Sequence, residues 1–123
     1  MDSVSIPFVD LHAQYLTIKD QIDSAISETI RKSAFVRGEQ VEQFEVNFAS
    51  TVGCSHCVSC GNGTDSLYLI MRALGVGPGD EVIVPAHSWI STSETITQAG
   101  GSVVFCDTTP GEYTLDPAQL STK

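Results

Sequence analysis

The chain has 123 residues, 41% of them apolar and 17% charged, which suits one small globular domain and excludes a disordered composition. Fifteen acidic residues against six basic ones leave a net charge of −9, which argues against a nucleic-acid partner because such binding needs a basic face. Met1 to Leu11 lacks the positive start and apolar core of a leader, and no apolar run approaches a membrane span, so the expectation is a cytoplasmic protein with four reduced cysteines.

Ile6-Pro-Phe-Val9 reads as an extended lead-in. Ile18, Ile22, Ile26 and Ile30 then recur every four residues, one stripe of an amphipathic helix. After a break at Ser33 to Gly38, Val41, Phe44, Phe48 and Val52 form a second helical stripe, stopped at Gly53. Both stripes are expected to face a core. His56 to Cys60 is short and rich in small or β-compatible residues and reads as a strand. Thr64 to Leu74 is a helix, Gly77-Pro-Gly-Asp80 a turn, and Glu81-Val-Ile-Val-Pro85 a strand. Trp89 to Ala99 is a helix, Ser102-Val-Val-Phe-Cys106 a strand, and Asp116-Pro117 a helix start. The reading is two leading helices followed by β-α-β-α-β, an α/β layer with a mainly parallel sheet. A helix starting near Asp116 has little chain left, so the sequence reads as the front of a larger domain.

Residues 53–66, GCSHCVSCGNGTDS, pose a choice between a metal and a phosphate. Cys54, Cys57 and Cys60 have C-x-x-C-x-x-C spacing. On a strand, Cys57 and Cys60 would point to opposite faces, and no second C-x-x-C or H-x-x-H pair completes a four-ligand zinc set. Small thiols packed as ordinary side chains are the simpler reading. Asn62-Gly-Thr-Asp65 follows a strand and opens a helix, where the first N–H groups lack partners inside the helix. Gly63 carries no Cβ to fend off an anion, and the Thr64 hydroxyl adds a donor. The same tetrapeptide also fits a plain turn with an Asx-type cap. No G-x-x-x-x-G-K-[ST] loop is present. Gly61-x-Gly63-x-x-Ser66 lacks the acid that a dinucleotide fold places at the end of the next strand. Trp89, the single tryptophan, falls just past a strand's C-terminal end, where α/β sheets bind ligands; helix-start packing is the alternative role.

Ile6-Pro-Phe-Val-Asp10, Phe35-Val-Arg-Gly38 with Phe44-Glu45, and Gly61-Asn-Gly-Thr-Asp65 form an ordered set with several later motifs. These are Gly77-Pro-Gly-Asp-Glu-Val-Ile-Val-Pro85, Ser88-Trp-Ile-Ser-Thr92, Val104-Phe105 with Asp107, and Tyr113-Thr-Leu-Asp-Pro117. Nearly the whole chain thereby resembles the N-terminal part of a DegT-type sugar aminotransferase, a fold-type I enzyme dependent on pyridoxal 5'-phosphate (PLP). Each motif alone is weak; the set in order is specific.

The resemblance implies that Asn62, Gly63 and Thr64 hold the PLP phosphate and that Trp89 stacks on the pyridine ring. It implies that Arg37 and Gly38 lie near the active site, on the substrate or subunit-interface side of a homodimer. Residues 1–37 would be an N-terminal arm and helix, and 38–123 the start of the cofactor-binding domain. The implied reaction moves an amino group, typically from glutamate, to a nucleotide-linked keto sugar, in surface-polysaccharide, O-antigen or sugar-antibiotic synthesis. The family's Schiff-base lysine and ring-nitrogen aspartate fall beyond Lys123, and neither Lys19 nor Lys32 matches. The chain alone is therefore expected to be a fragment without turnover. The alternatives are a dehydratase of the same family, with histidine at the lysine position, and an inactive truncated product.

Overall fold

The structure is a computed structural model and describes residues 6–122. It divides into two compact units, Met1–Ser59 and Cys60–Lys123.

In the first unit, α1 (Leu11–Thr17) starts at Asp10, whose Oδ1 accepts from the Ala13 N–H at 2.8 Å. The helix expected from the isoleucine stripe is α2 (Lys19–Arg31), which begins after Ile18 leaves helical geometry at φ −130°; α1 is a further short helix that the stripe does not announce. At the break the Thr17 hydroxyl donates to the Gln14 carbonyl at 2.7 Å. The Ile18 N–H bonds to Tyr15 O at 3.0 Å. The C-terminal end of α2 carries an ion-pair network. The Arg31 Nε donates to Glu28 at 2.9 Å, and Lys32 reaches both Glu28 and Glu39 at 3.1 and 2.8 Å. Arg31 and Lys32 also suit the negative end of the helix dipole.

The loop after α2 passes through Ser33 and Arg37, both at positive φ, and Gly38 caps α3 (Glu39–Val52). Gly53 ends α3 in the left-handed conformation at φ +73°, as its place in the sequence predicts. The Phe44 and Phe48 rings stack at 5.5 Å, and Ala49 is buried. The apolar stripes depart from expectation. Ile22, Ile26 and Ile30 on α2 and Phe44, Phe48 and Val52 on α3 are all exposed. Of these helices' described residues only Ala49 is buried, too little to make a core under either stripe.

A second difference concerns His56 to Cys60, which is not a strand. A strand exists by pairing, and this segment has no ladder partner among the described residues. Its anchor is a side chain: Glu45 Oε1 accepts from both the backbone N–H and the hydroxyl of Ser59, each at 2.8 Å. Those two donors hold the Glu45 carboxyl below its ordinary range.

The second unit is α/β. Helix α4 (Gly63–Ala73) leads to β1 (Glu81–Pro85), α5 (Ser91–Ala99) and β2 (Ser102–Cys106). The strands pair in parallel, Val82 with Val103, Ile83 with Val104 and Val84 with Phe105, and α5 makes the crossover between them. Helix α4 packs on α5, and α5 packs on the sheet. Val84, Thr95, Ile96, Ala99 and Cys106 form the small core. Beyond β2 the chain doubles back, with Thr108 bridging Leu115 and the Thr109 N–H donating to Thr114 O at 2.8 Å. The expected helix start at Asp116 is present as a short 3-10 helix, Pro117–Thr122, with Asp116 Oδ1 accepting from the Ala118 N–H at 2.9 Å. Among the described residues no helix is long and apolar enough to cross a membrane.

Candidate functional site

The head of α4 is built by Asn62. Its Oδ1 accepts from the Asp65 N–H at 2.9 Å, and its Nδ2 donates to Asp65 Oδ2 at 3.0 Å. This reciprocal cap settles the third helical N–H and leaves those of Gly63 and Thr64 with no acceptor among the described residues. The cap and the phosphate readings are thus compatible: the Asx cap uses one donor and leaves two. A Cβ built on Gly63 would meet nothing within 4 Å, so the side-chain position of Gly63 opens on free space. The Thr64 hydroxyl lies 2.7 Å from Ser91 Oγ, which ties the first turn of α4 to the first residue of α5.

Trp89 stands two residues before Ser91, in the turn between β1 and α5. It is 77% exposed, so packing at the helix start does not hold it. With Pro85, Ala86, Ser88, Thr92 and Phe105 it borders a recess of about 220 Å³. Complete small-molecule sites run to roughly 300–1,000 Å³, so this recess is smaller than such a site. Ser88 Oγ pairs with Thr92 Oγ1 at 2.8 Å, and the His87 ring sits 5.9 Å from that of Tyr113. Asp107 Oδ1 accepts from the Thr108 N–H at 2.8 Å, a local turn bond.

Arg37 and Gly38 belong to the first unit. Arg37 is held at φ +49°, a conformation that costs a non-glycine residue roughly 1–2 kcal/mol. Gly38 is required by closeness, since a Cβ there would lie 2.7 Å from Ala34 O and 2.9 Å from Ala34 Cβ. The four cysteines are free thiols: Cys54 and Cys60 exposed, Cys57 half-buried, Cys106 buried. Among the described residues no three His, Cys, Asp or Glu side chains gather as a metal site. Sequence reasoning passed over Ser91 as one letter of a longer motif. The available signal was a small hydroxyl at the first position of the helix that follows β1.

The head of α4 thus has two open backbone donors, and an exposed indole stands past the C-terminal end of the parallel strand β1. The chain belongs to the DegT/DnrJ/EryC1/StrS aminotransferase family, whose profile matches residues 16–123. It is 44% identical over 115 residues to UDP-2-acetamido-2-deoxy-3-oxo-D-glucuronate aminotransferase from Pseudomonas aeruginosa, covering 94% of this chain and 32% of that protein. Its fold is similar to that of S. venezuelae DesV, solved with a ketimine intermediate, with TM-score 0.93 and 34% identity, covering 98% of this chain and 32% of that one. It is also similar to a proposed sugar aminotransferase from Streptococcus pneumoniae solved in its PLP form, with TM-score 0.78 and 29% identity, covering 80% of this chain and 25% of that one. The chain spans about a third of the length of the curated relatives it matches.

Proposed function

We propose that this chain supplies the phosphate-holding part of a PLP-dependent aminotransferase that moves an amino group from glutamate to a nucleotide-linked keto sugar. The observation that carries the reading is the head of α4, where Asn62 caps one N–H and leaves those of Gly63 and Thr64 open beside a bare Cα. Such a turn fits a phosphate, because the donors and the helix dipole both favour an anion. The net charge of −9 is no obstacle, since the attraction is local. The exposed Trp89 offers a flat apolar face for a planar ring.

In this reading Asn62 shapes the turn, Gly63 gives backbone access, Thr64 adds a hydroxyl and Trp89 sets the ring plane. Bound there, PLP would supply the electron sink that amino transfer needs. The amino group leaves glutamate, which becomes 2-oxoglutarate, and the sugar carbonyl becomes an amine. The keto-sugar substrate is supported by the relatives: the Pseudomonas protein is named for a UDP-linked 3-oxo sugar, and a Streptomyces venezuelae relative, 37% identical, for a dTDP-linked amino sugar. Residues 38–123 are read as the start of the cofactor-binding domain, with 1–37 as an arm. The working enzyme is read as a cytoplasmic homodimer with Arg37 and Gly38 near its active site. Its exposed isoleucine stripe is the kind of surface that such an assembly covers.

The test uses the complete gene product with PLP, 15N-glutamate and UDP- or dTDP-linked 3-keto sugars. The reading expects 2-oxoglutarate, stoichiometric with enzyme, before sugar is added, and 15N in the sugar afterwards. Loss of a sugar hydroxyl without nitrogen gain would move the assignment to dehydration. Neither change would refute it.

A further inference from the structure

We propose that Ser91 is a positioning residue for the anion site at the head of α4, its buried hydroxyl donating to Thr64 Oγ1 so that the Thr64 proton is turned toward the cofactor phosphate. The proposal rests on the phosphate reading above and deepens it.

The argument is a proton count. Ser91 is 5% exposed, and its Oγ lies 2.7 Å from Thr64 Oγ1. No other hydrogen-bond partner of either hydroxyl oxygen is present among the described residues. Each hydroxyl has one proton, so two arrangements are open. If Thr64 donated, the Ser91 proton would sit in the core with no acceptor, and an unmade bond on a buried donor is the costly case. If Ser91 donates, its proton is used, Thr64 accepts, and the Thr64 proton remains. Thr64 is only half-buried and stands in the turn whose Gly63 and Thr64 N–H groups also lack acceptors. Burial on one side and openness on the other therefore orient the pair. A hydroxyl that accepts a hydrogen bond is also a stronger donor, because bonds in a chain polarise one another.

Ser91 is itself held in place. The Thr95 hydroxyl donates to Ser91 O at 2.8 Å, and α5 lies against both α4 and the sheet. Simple packing at the helix start would be served as well by alanine. The hydroxyl is what alanine lacks.

The test compares PLP with pyridoxal, which has the same ring and no phosphate. Dissociation constants are measured by equilibrium dialysis on the complete gene product. Wild type is expected to hold PLP well above pyridoxal. Ser91→Ala is expected to weaken PLP by about 3- to 10-fold, the value of one net hydrogen bond, and to leave pyridoxal unchanged within about twofold. Ser91→Cys keeps a weaker donor at similar volume and is expected to fall between. In a Thr64→Ala background, Ser91→Ala is expected to add nothing, because the bond acts only through Thr64. Equal losses for PLP and pyridoxal, no loss for PLP, or full additivity with Thr64→Ala would each overturn the proposal. A wild type that does not distinguish PLP from pyridoxal would overturn the phosphate reading beneath it.

Discussion

Gly38 offers a sharp test of the geometry, because two opposed effects can be weighed there. At φ −83°, alanine fits the backbone, and replacing glycine stiffens the unfolded chain, which favours folding by about 0.4–1 kcal/mol. Against this, the new Cβ would stand 2.7 Å from Ala34 O, where ordinary contact begins at 3.4 Å. The loop must open by about 0.7 Å, and the atom in the way is backbone. Overpacking of that kind costs about 1–3 kcal/mol, so the clash wins by about 1–2 kcal/mol. With a urea m value near 2 kcal/mol/M, the midpoint of Gly38→Ala should fall by roughly 0.5–1 M. Adding Ala34→Gly removes the 2.9 Å Cβ contact and keeps the 2.7 Å carbonyl contact, so recovery should be partial. An unchanged or raised midpoint, or full recovery in the double variant, would refute the reasoning.

Asn62→Ala should cost about 1 kcal/mol through the lost cap, read as faster amide exchange in the first turn of α4. Asn62→Asp keeps the Oδ1 cap but sets a second carboxylate against Asp65 Oδ2, so it should weaken PLP binding more than Asn62→Ser does. Trp89→Phe should keep most PLP affinity and Trp89→Ala should lose roughly 2- to 10-fold by dialysis; equal affinities would remove the indole from the site. Arg37→Asn relieves a left-handed conformation that asparagine tolerates, so thermal stability should hold or rise while the KM for the sugar nucleotide rises; an unchanged KM would remove Arg37 from the substrate side. Glu45 has a lowered folded pKa, so its stabilising contribution is present above its ordinary value of 4.5 and is lost as pH falls through the folded value. Glu45→Gln should therefore flatten the acid limb of the stability curve below pH 4.5, and an unaltered limb would show that the Ser59 bonds carry no linkage.

The parallel strands and the α4 head were legible because their signals are local. Glu81-Val-Ile-Val-Pro85 and Ser102-Val-Val-Phe-Cys106 are short apolar runs set off by glycine turns, and Asn62 stands where a capping side chain must. What misled was anything decided by a partner. His56 to Cys60 has strand-like residues, yet only pairing makes a strand, and the Glu45 carboxylate takes its donors instead. The isoleucine stripe announces α2, but nothing in that spacing announces the separate short helix α1 before Ile18. Periodicity also tells which face is apolar without telling what lies against it, as the exposed Ile26 and Ile30 show. The Thr64–Ser91 bond joins positions 27 apart, beyond the reach of any local pattern.

Cys106 turns the end of β2 into a clock. It is 1% exposed, under the returning segment that places Asp116 O and Gln119 Oε1 at 3.7 and 4.0 Å from its sulfur. Cys54 and Cys60 stand in the open. A thiol reagent will spend itself on those two at once and on Cys106 only when residues 107–120 lift away. The labelling rate of Cys106, read site by site and apart from the half-buried Cys57, then reports how readily the second unit opens, with no mutation.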